Sequence, residues 1–236
     1  MSVDVSKPGA SVPVHRVRFV DWSPSAITAL ALSPVAWTES AAAGRSVLAI
    51  GRDNGNIDLC TWCEGQSGSI AQGWSPVWTL LGEENYKIES LAFTASASHL
   101  RLFSTSGGSI VSEHFLPSSL TGQQAADTRT PTRTLSSHGG AIWSMAASPT
   151  GKFLAIGCED GVVRLIDVAG DAFEHVGTGM HVAPRMTRVA SRILSLAWGP
   201  PRRQMATSND SDDDNDEAWR DTCLLYTSDA ADERCR

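Results

Sequence analysis

Apolar and polar residues alternate along this chain in short runs, and the runs recur. Ile142, Ser144, Ala146 and Ser148 alternate with Trp143, Met145 and Ala147, the period of two expected of a strand with unlike faces. Runs of the same kind open at Ile27, Ile88 and Ile193. In the first three units a second apolar run follows: Val47 to Gly51, Leu100 to Phe103, and Phe153 to Gly157. Between it and a third run lie Asn54-Gly55, Gly107-Gly108 and Asp160-Gly161. Such pairs accept positive φ and favour tight hairpins. Ser-Pro at 33–34 and 148–149 ends the first strand of two units, because proline has no N–H to give to a ladder. No stretch carries a helical period of useful length.

The turn glycines Gly55, Gly108 and Gly161 stand at equal intervals of 53 residues. Short strands with regular turn signals predict an all-β sandwich or propeller. A period of about 50 favours the propeller, with loop insertions lengthening a unit of roughly 40–45 residues. Three units and the opening of a fourth (Arg192 to Trp198) predict a partial β-propeller of about three to four blades. A sandwich with accidental internal similarity is the alternative.

His138-Gly139 before a strand, Asp160-Gly161 at the hairpin and Leu165-Ile166-Asp167 after it fit the WD40 template. Ile166 stands where that template has tryptophan. Cys60-Thr61 and Glu113-His114 hold the Trp-Asp position in the first two units. The usual His-Ser/Thr-Asp-Trp tetrad is therefore incomplete in each. VHRVRF from Val14, PSAI from Pro24, IWSMAASP from Ile142, IGCEDG from Ile156 and RILSLAW from Arg192 together resemble the cirhin-type family. These are WD40 subunits of the t-UTP/UtpA subcomplex of the small-subunit processome. The resemblance spans about residues 14–222.

That resemblance implies a non-catalytic nucleolar scaffold in ribosome biogenesis. It would support 18S pre-rRNA processing and ribosomal RNA transcription. Its partners would be other processome proteins and a segment of pre-rRNA. Neither a cofactor, a membrane nor a small-molecule substrate is implied. The chain would be an N-terminal portion, reaching about half way round the first of two propellers. Arg16 to Phe19 would be the outer strand that closes the ring. A generic WD40 adaptor, such as a ubiquitin-ligase substrate receptor or a trafficking scaffold, is the alternative. An open ring exposes strand edges, so the segment alone is expected to be unstable.

The expected organisation is a disordered tail over 1–13, the partial propeller over 14–222, and a separate tail over 223–236. Residues 223–233 resemble the translated adapter of transposase-based sequencing libraries, so this tail is read as non-native. Within the propeller, residues 207–218 form an acidic loop expected to be disordered. Asp210, Asp212, Asp213, Asp214, Asp216 and Glu217 in it supply most of the formal net charge of −7. The rest is near neutral, so the charge names no partner.

Candidate chemistry is sparse. No Walker loop or nucleophile elbow is present. Cys60 and Cys63 have CxxC spacing but no second pair or histidines to complete a metal site. No apolar run approaches the roughly 18–20 residues of a membrane helix. The first residues lack a secretory pattern, and the simplest expectation is an intracellular protein. His138, Asp160, Gly161, Asn54 and Gly55 are read as turn-forming residues. Trp143 and Trp198 are read as core. Arg185, Arg188, Arg192, Arg202 and Arg203 form a loosely basic segment, the candidate contact for RNA phosphates or an acidic protein. Solvated surface is its plainer reading.

Overall fold

The computed structural model describes residues 25–34, 46–63, 73–82, 86–95, 100–116, 133–176, 188–203, 219–221 and 224–228. Among them every regular element is a strand. β1 (Ile27–Leu32), β2 (Val47–Arg52), β3 (Ile57–Cys63) and β4 (Gly73–Leu80) form an antiparallel meander, blade 1. β5 (Ser90–Ala95), β6 (Leu100–Thr105), β7 (Ile110–Phe115) and β8 (Arg133–Ser136) form blade 2. β9 (Ile142–Ala147), β10 (Phe153–Cys158), β11 (Val163–Asp167) and β12 (Glu174–His175) form blade 3. β13 (Ile193–Trp198) opens a fourth unit. The opening strands β1, β5, β9 and β13 are neighbours in that order, so the sheets radiate from a shared inner edge. This is a partial β-propeller.

The period of two explains the stacking. Val47, Ala49, Ile57 and Leu59 of blade 1 meet Leu91, Phe93, Leu100 and Leu102 of blade 2. Ala92, Phe103 and Val111 of blade 2 turn the other way, onto Ile142, Met145, Leu154 and Ile156 of blade 3. Ala155 and Val163 of blade 3 then receive Ile193, with Leu196 and Trp198 packed around them. Ala92 and Phe93 are adjacent in sequence yet lie in different seams, as side chains of consecutive strand residues must. β6 is buried at all six positions because blade 2 has a neighbour on both faces.

The pairing corrects one detail of the repeat. Gly51 pairs with Ile57, Thr105 with Val111 and Gly157 with Val163. Counted from these pairs, Ser109 and not Gly108 stands where Gly55 and Gly161 stand. Blade 2 turns instead through Gly107, at φ 68°. A Gly-Gly pair lets either residue take the positive φ, so composition alone did not fix the frame.

The other two hairpins match each other. Gly55 and Gly161 take φ of 85° and 75°. Asn54 and Asp160 contribute through their side chains: Asn54 Oδ1 accepts from Asn56 N–H, and Asp160 Oδ1 from Val162 N–H, each at 3.1 Å. The Ser-Pro serines act alike too. Ser33 Oγ accepts from Val47 N–H at 2.9 Å and Ser148 Oγ from Phe153 N–H at 3.1 Å. Each hydroxyl closes the link between the first and second strands of its blade.

In the fourth unit β13 pairs with β16 (Leu224–Ser228). Between them β14 (Arg202–Arg203) pairs with β15 (Trp219–Arg220) as a short ribbon. Asp221 ties the ribbon to blade 3, accepting from Thr150 N–H at 3.1 Å and Thr150 Oγ1 at 2.5 Å. β16 falls in the segment read from sequence as a non-native tail. An open strand edge accepts any β-prone segment within reach, so this pairing is silent on the tail's origin. Residues 1–13, the ring-closing strand at Arg16 to Phe19 and the acidic stretch 207–218 lie outside the described residues.

Gly161 offers a direct check. A Cβ there would overlap the carbonyl oxygen of Val189, and φ is already positive. Gly170 also has positive φ (57°) but open space around it. Gly170→Ala is expected to cost about 1 kcal/mol and Gly161→Ala at least about 2 kcal/mol. Urea midpoints compared at unchanged m-values measure the difference.

Candidate functional site

Besides the Arg52–Asp58–Thr79 network within blade 1, two clusters of described polar residues stand at opposite ends of the blades. The first lies where the blade 3 hairpin meets the turns that enter β9 and β13. Asp160 is gripped by Arg164, from Nη1 at 2.9 Å and from Nη2 at 2.7 Å. That pairing holds the Asp160 carboxyl below the ordinary carboxylate range. Arg164 Nη2 also reaches the His138 carbonyl at 3.3 Å. Gly139 sits so close that a Cβ would overlap the Arg164 guanidinium. Ser137 Oγ donates to the Gly140 carbonyl at 2.7 Å and accepts from Gly139 N–H at 3.2 Å. An Asp160–Arg164 pair and a Ser137 loop thus hold the corner where a WD40 tetrad would stand.

His138 takes part through its backbone, at φ 54°. Its ring packs against His175 at 5.2 Å between centroids. His175 in turn bonds the Ser136 carbonyl at 2.7 Å.

The basic segment is divided. Arg188 Nε donates to the Asp160 carbonyl at 3.1 Å. Arg192 lies over the Trp143 ring at 4.6 Å, and the Trp143 indole N–H donates to Glu159. Arg202 and Arg203 are on β14, beyond the far end of β13. Six residues of strand separate the two groups, roughly 20 Å. Arg185 lies outside the described residues. Trp143 is 39% exposed and not core as the sequence suggested. Period-two alternation gives a side chain's face but not whether the blade edge leaves that face open. Trp198 is half-buried, and its indole N–H donates to the Ala146 carbonyl at 3.0 Å.

The second place escaped the sequence reading. Arg101 on β6 and Glu113 on β7 form a fully buried ion pair. Arg101 Nη1 also donates to the carbonyls of Val168 (2.7 Å) and Gly170 (2.8 Å), and Nη2 to Ala172 (2.8 Å). All three belong to the loop between β11 and β12. Arg133 on β8 donates from Nε to the other Glu113 oxygen at 2.6 Å and from Nη1 to the Asp171 carbonyl at 2.9 Å. Two arginines of blade 2 therefore clamp one loop of blade 3. The only sequence signal was a lone arginine inside an apolar strand, with a glutamate on the next.

Three buried or part-buried groups complete the picture. Burial pushes the thiols of Cys60 and Cys158 above their ordinary values, which disfavours the reactive thiolate. His114, bonded to Ser104 Oγ at 2.9 Å, is lowered by burial to about 4.

The model of the family "WD domain, G-beta repeat" matches residues 129–167. That span is β8 of blade 2 plus β9, β10 and β11 of blade 3. The chain is 33% identical over 186 residues to U3 small nucleolar RNA-associated protein 4 of Saccharomyces cerevisiae, covering 78% of this chain and 21% of that protein. It is 30% identical over 196 residues to the human homologue of the same name, covering 83% of this chain and 23% of that protein. The chain thus spans about a fifth of the length of the curated relatives it matches. Among solved structures, a chain of an active polycomb repressive complex 2 in the basal state matches at TM-score 0.51 and 15% identity, over 72% of this chain and 32% of that one. This likeness concerns the fold alone.

Two predictions follow from these groups. Arg101→Ala leaves three loop carbonyls without their donor and Glu113 with Arg133 as its remaining ion-pair partner, and is expected to cost about 3–5 kcal/mol. The double change Arg101→Met with Glu113→Leu is expected to recover only part of that, because the carbonyls stay unsatisfied and Arg133 loses its carboxylate, as read by denaturant melts. His114 is neutral when folded, and its unfolded value is near 6.5. Its contribution is complete above pH 6.5 and is lost as pH falls to about 4, on the order of 3 kcal/mol. His114→Asn is expected to flatten the stability–pH curve in that window, measured against the parent chain.

Proposed function

We propose that this chain, a WD40-type propeller segment similar to the U3 small nucleolar RNA-associated proteins 4, is a non-catalytic scaffold of ribosome biogenesis. It acts in the nucleolus, within the t-UTP subcomplex of the small-subunit processome. There it supports 18S pre-rRNA processing and ribosomal RNA transcription. The observation that carries this reading is 30–34% identity to four curated proteins of that name, across 78–83% of the chain.

The physical arrangement fits a binding role. Rigid blades hold short loops at fixed angles, the usual way a propeller displays recognition residues. The buried charges in blade 2 are engaged with one another and with backbone carbonyls, which is structural work. The contact groups in this reading are Arg188 and Arg192 at one end of β13, Arg202 and Arg203 at the other, and Arg185. They would meet the phosphates of a pre-rRNA segment or acidic surfaces of other processome proteins.

Affinity purification of the tagged chain from growing cells tests the reading. Recovery of U3 small nucleolar RNA and small-subunit precursors is expected. Recovery of cullin-linked proteins without them would favour the generic adaptor instead. If Arg188 and Arg192 each meet a phosphate, the double alanine variant lowers the slope of log affinity against log salt by about 1.4 on single-stranded RNA. An unchanged slope removes both from the interface.

A further inference from the structure

Three of the inner strands share an irregularity. β9 pairs Ile142 with Cys158 and Ser144 with Gly157, so Trp143 is the extra residue of a β-bulge. Thr28 of β1 and Leu194 of β13 are extra residues at the aligned position, each one place after the opening isoleucine. A bulge leaves its extra residue out of the ladder and re-aims the side chain. The backbone feature recurs while the side chain changes from threonine to tryptophan to leucine. In blade 3 the side chain so presented is an indole.

That indole is fixed in place. Its N–H donates to the Glu159 carboxylate, and Glu159 N–H is tied to the Ala141 carbonyl at 2.8 Å. The Arg192 guanidinium lies 4.6 Å from the ring centroid. β5 and β13 both pack against β9, yet 39% of Trp143 stays exposed. A strand stands on either side of it, so the bulge and not an open end sets the exposure. The charges around the ring then choose the ligand. Arg192 already holds the cation's place on the ring, so a second cation is repelled. Glu159 is engaged by the indole and Asp160 by Arg164. Arg188 and Arg192 stand at the same end of β13. A flat apolar ring beside two guanidiniums suits a planar, uncharged ring that carries an anion.

We propose that Trp143 is a stacking platform for one unpaired nucleobase of a single-stranded RNA. The base lies on the part of the ring that Arg192 leaves bare, and Arg188 and Arg192 meet the phosphates beside it. Stacking needs only the π-face of a base, so the contact tolerates any sequence. The locked indole loses little freedom on binding. A paired base cannot reach it, because both faces of that base are already stacked within the duplex. The inference rests on the ribosome-biogenesis reading for the presence of RNA, and adds which form of RNA is held and by which residue.

Fluorescence anisotropy of the full 236-residue chain with a labelled, mixed-sequence RNA strand of about 12 nucleotides tests it. Trp143→Ala and Trp143→Leu are each expected to weaken binding about 5- to 150-fold, with the circular dichroism of the blades kept. Trp143→Phe retains an aromatic face and is expected to lose less than about 3-fold. The same strand in a duplex is expected to bind parent and variants alike, through its phosphates. Unchanged affinity with alanine and leucine overturns the proposal. An equal loss with phenylalanine, or an equal loss on the duplex, overturns it too, because neither is stacking. A parent chain that does not bind the single strand also overturns it, whereas recovery of U3 small nucleolar RNA in the purification would leave the scaffold reading standing.

Discussion

The buried guanidinium of Arg101 sets the geometry between blades 2 and 3. Apolar seams fix the spacing of the blades by close packing, but they carry no directional bonds. A charge without water is not forgiving. Each N–H of Arg101 must meet an oxygen, and the carbonyls of Val168, Gly170 and Ala172 lie in a loop whose backbone has left the ladder. The arginine satisfies carbonyls that the sheet cannot, while Glu113 neutralises it and recruits Arg133 as a second clamp. The groups so joined are 67 to 71 residues apart in sequence, so the seam forms only when two blades are complete. Such a pair adds less to stability than apolar packing would. Its effect is to leave one angle at which the Arg101 guanidinium meets both Glu113 and the three loop carbonyls.

The hairpin corner of blade 3 solves a similar problem with different residues. A WD40 tetrad would link the loop before β9 to the β10–β11 hairpin through histidine and tryptophan. Here Arg164 spans the same gap from β11, and Gly139 makes room for it. Ile166 is then free to be core, and it is fully buried. The loss of tryptophan at that position is thus matched by an arginine two residues earlier. The degeneracy of the repeat is a local exchange of one set of contacts for another.

The elements were legible because each follows from a local rule. Alternation placed β1, β5, β9 and β13, and Asn-Gly and Asp-Gly placed two of the hairpins. The third, Gly107-Gly108, was located but framed one residue off, since two glycines leave the positive φ unassigned. Arg101 was not legible, because its partners are settled by blade stacking rather than by spacing. The exposure of Trp143 was hidden for the same reason. The five arginines read as one segment but stand at two ends of β13, because a six-residue strand runs through the middle of that stretch.

The WD40 match covers β8 together with β9, β10 and β11, so the unit of sequence and the unit of shape are offset by one strand. During synthesis this offset has a temporal meaning. When the ribosome has finished β7, blade 2 still lacks its outer strand, and that strand arrives only at the head of the next repeat. Blade 2 therefore keeps an open edge on β7 until the residues of β8 have also emerged.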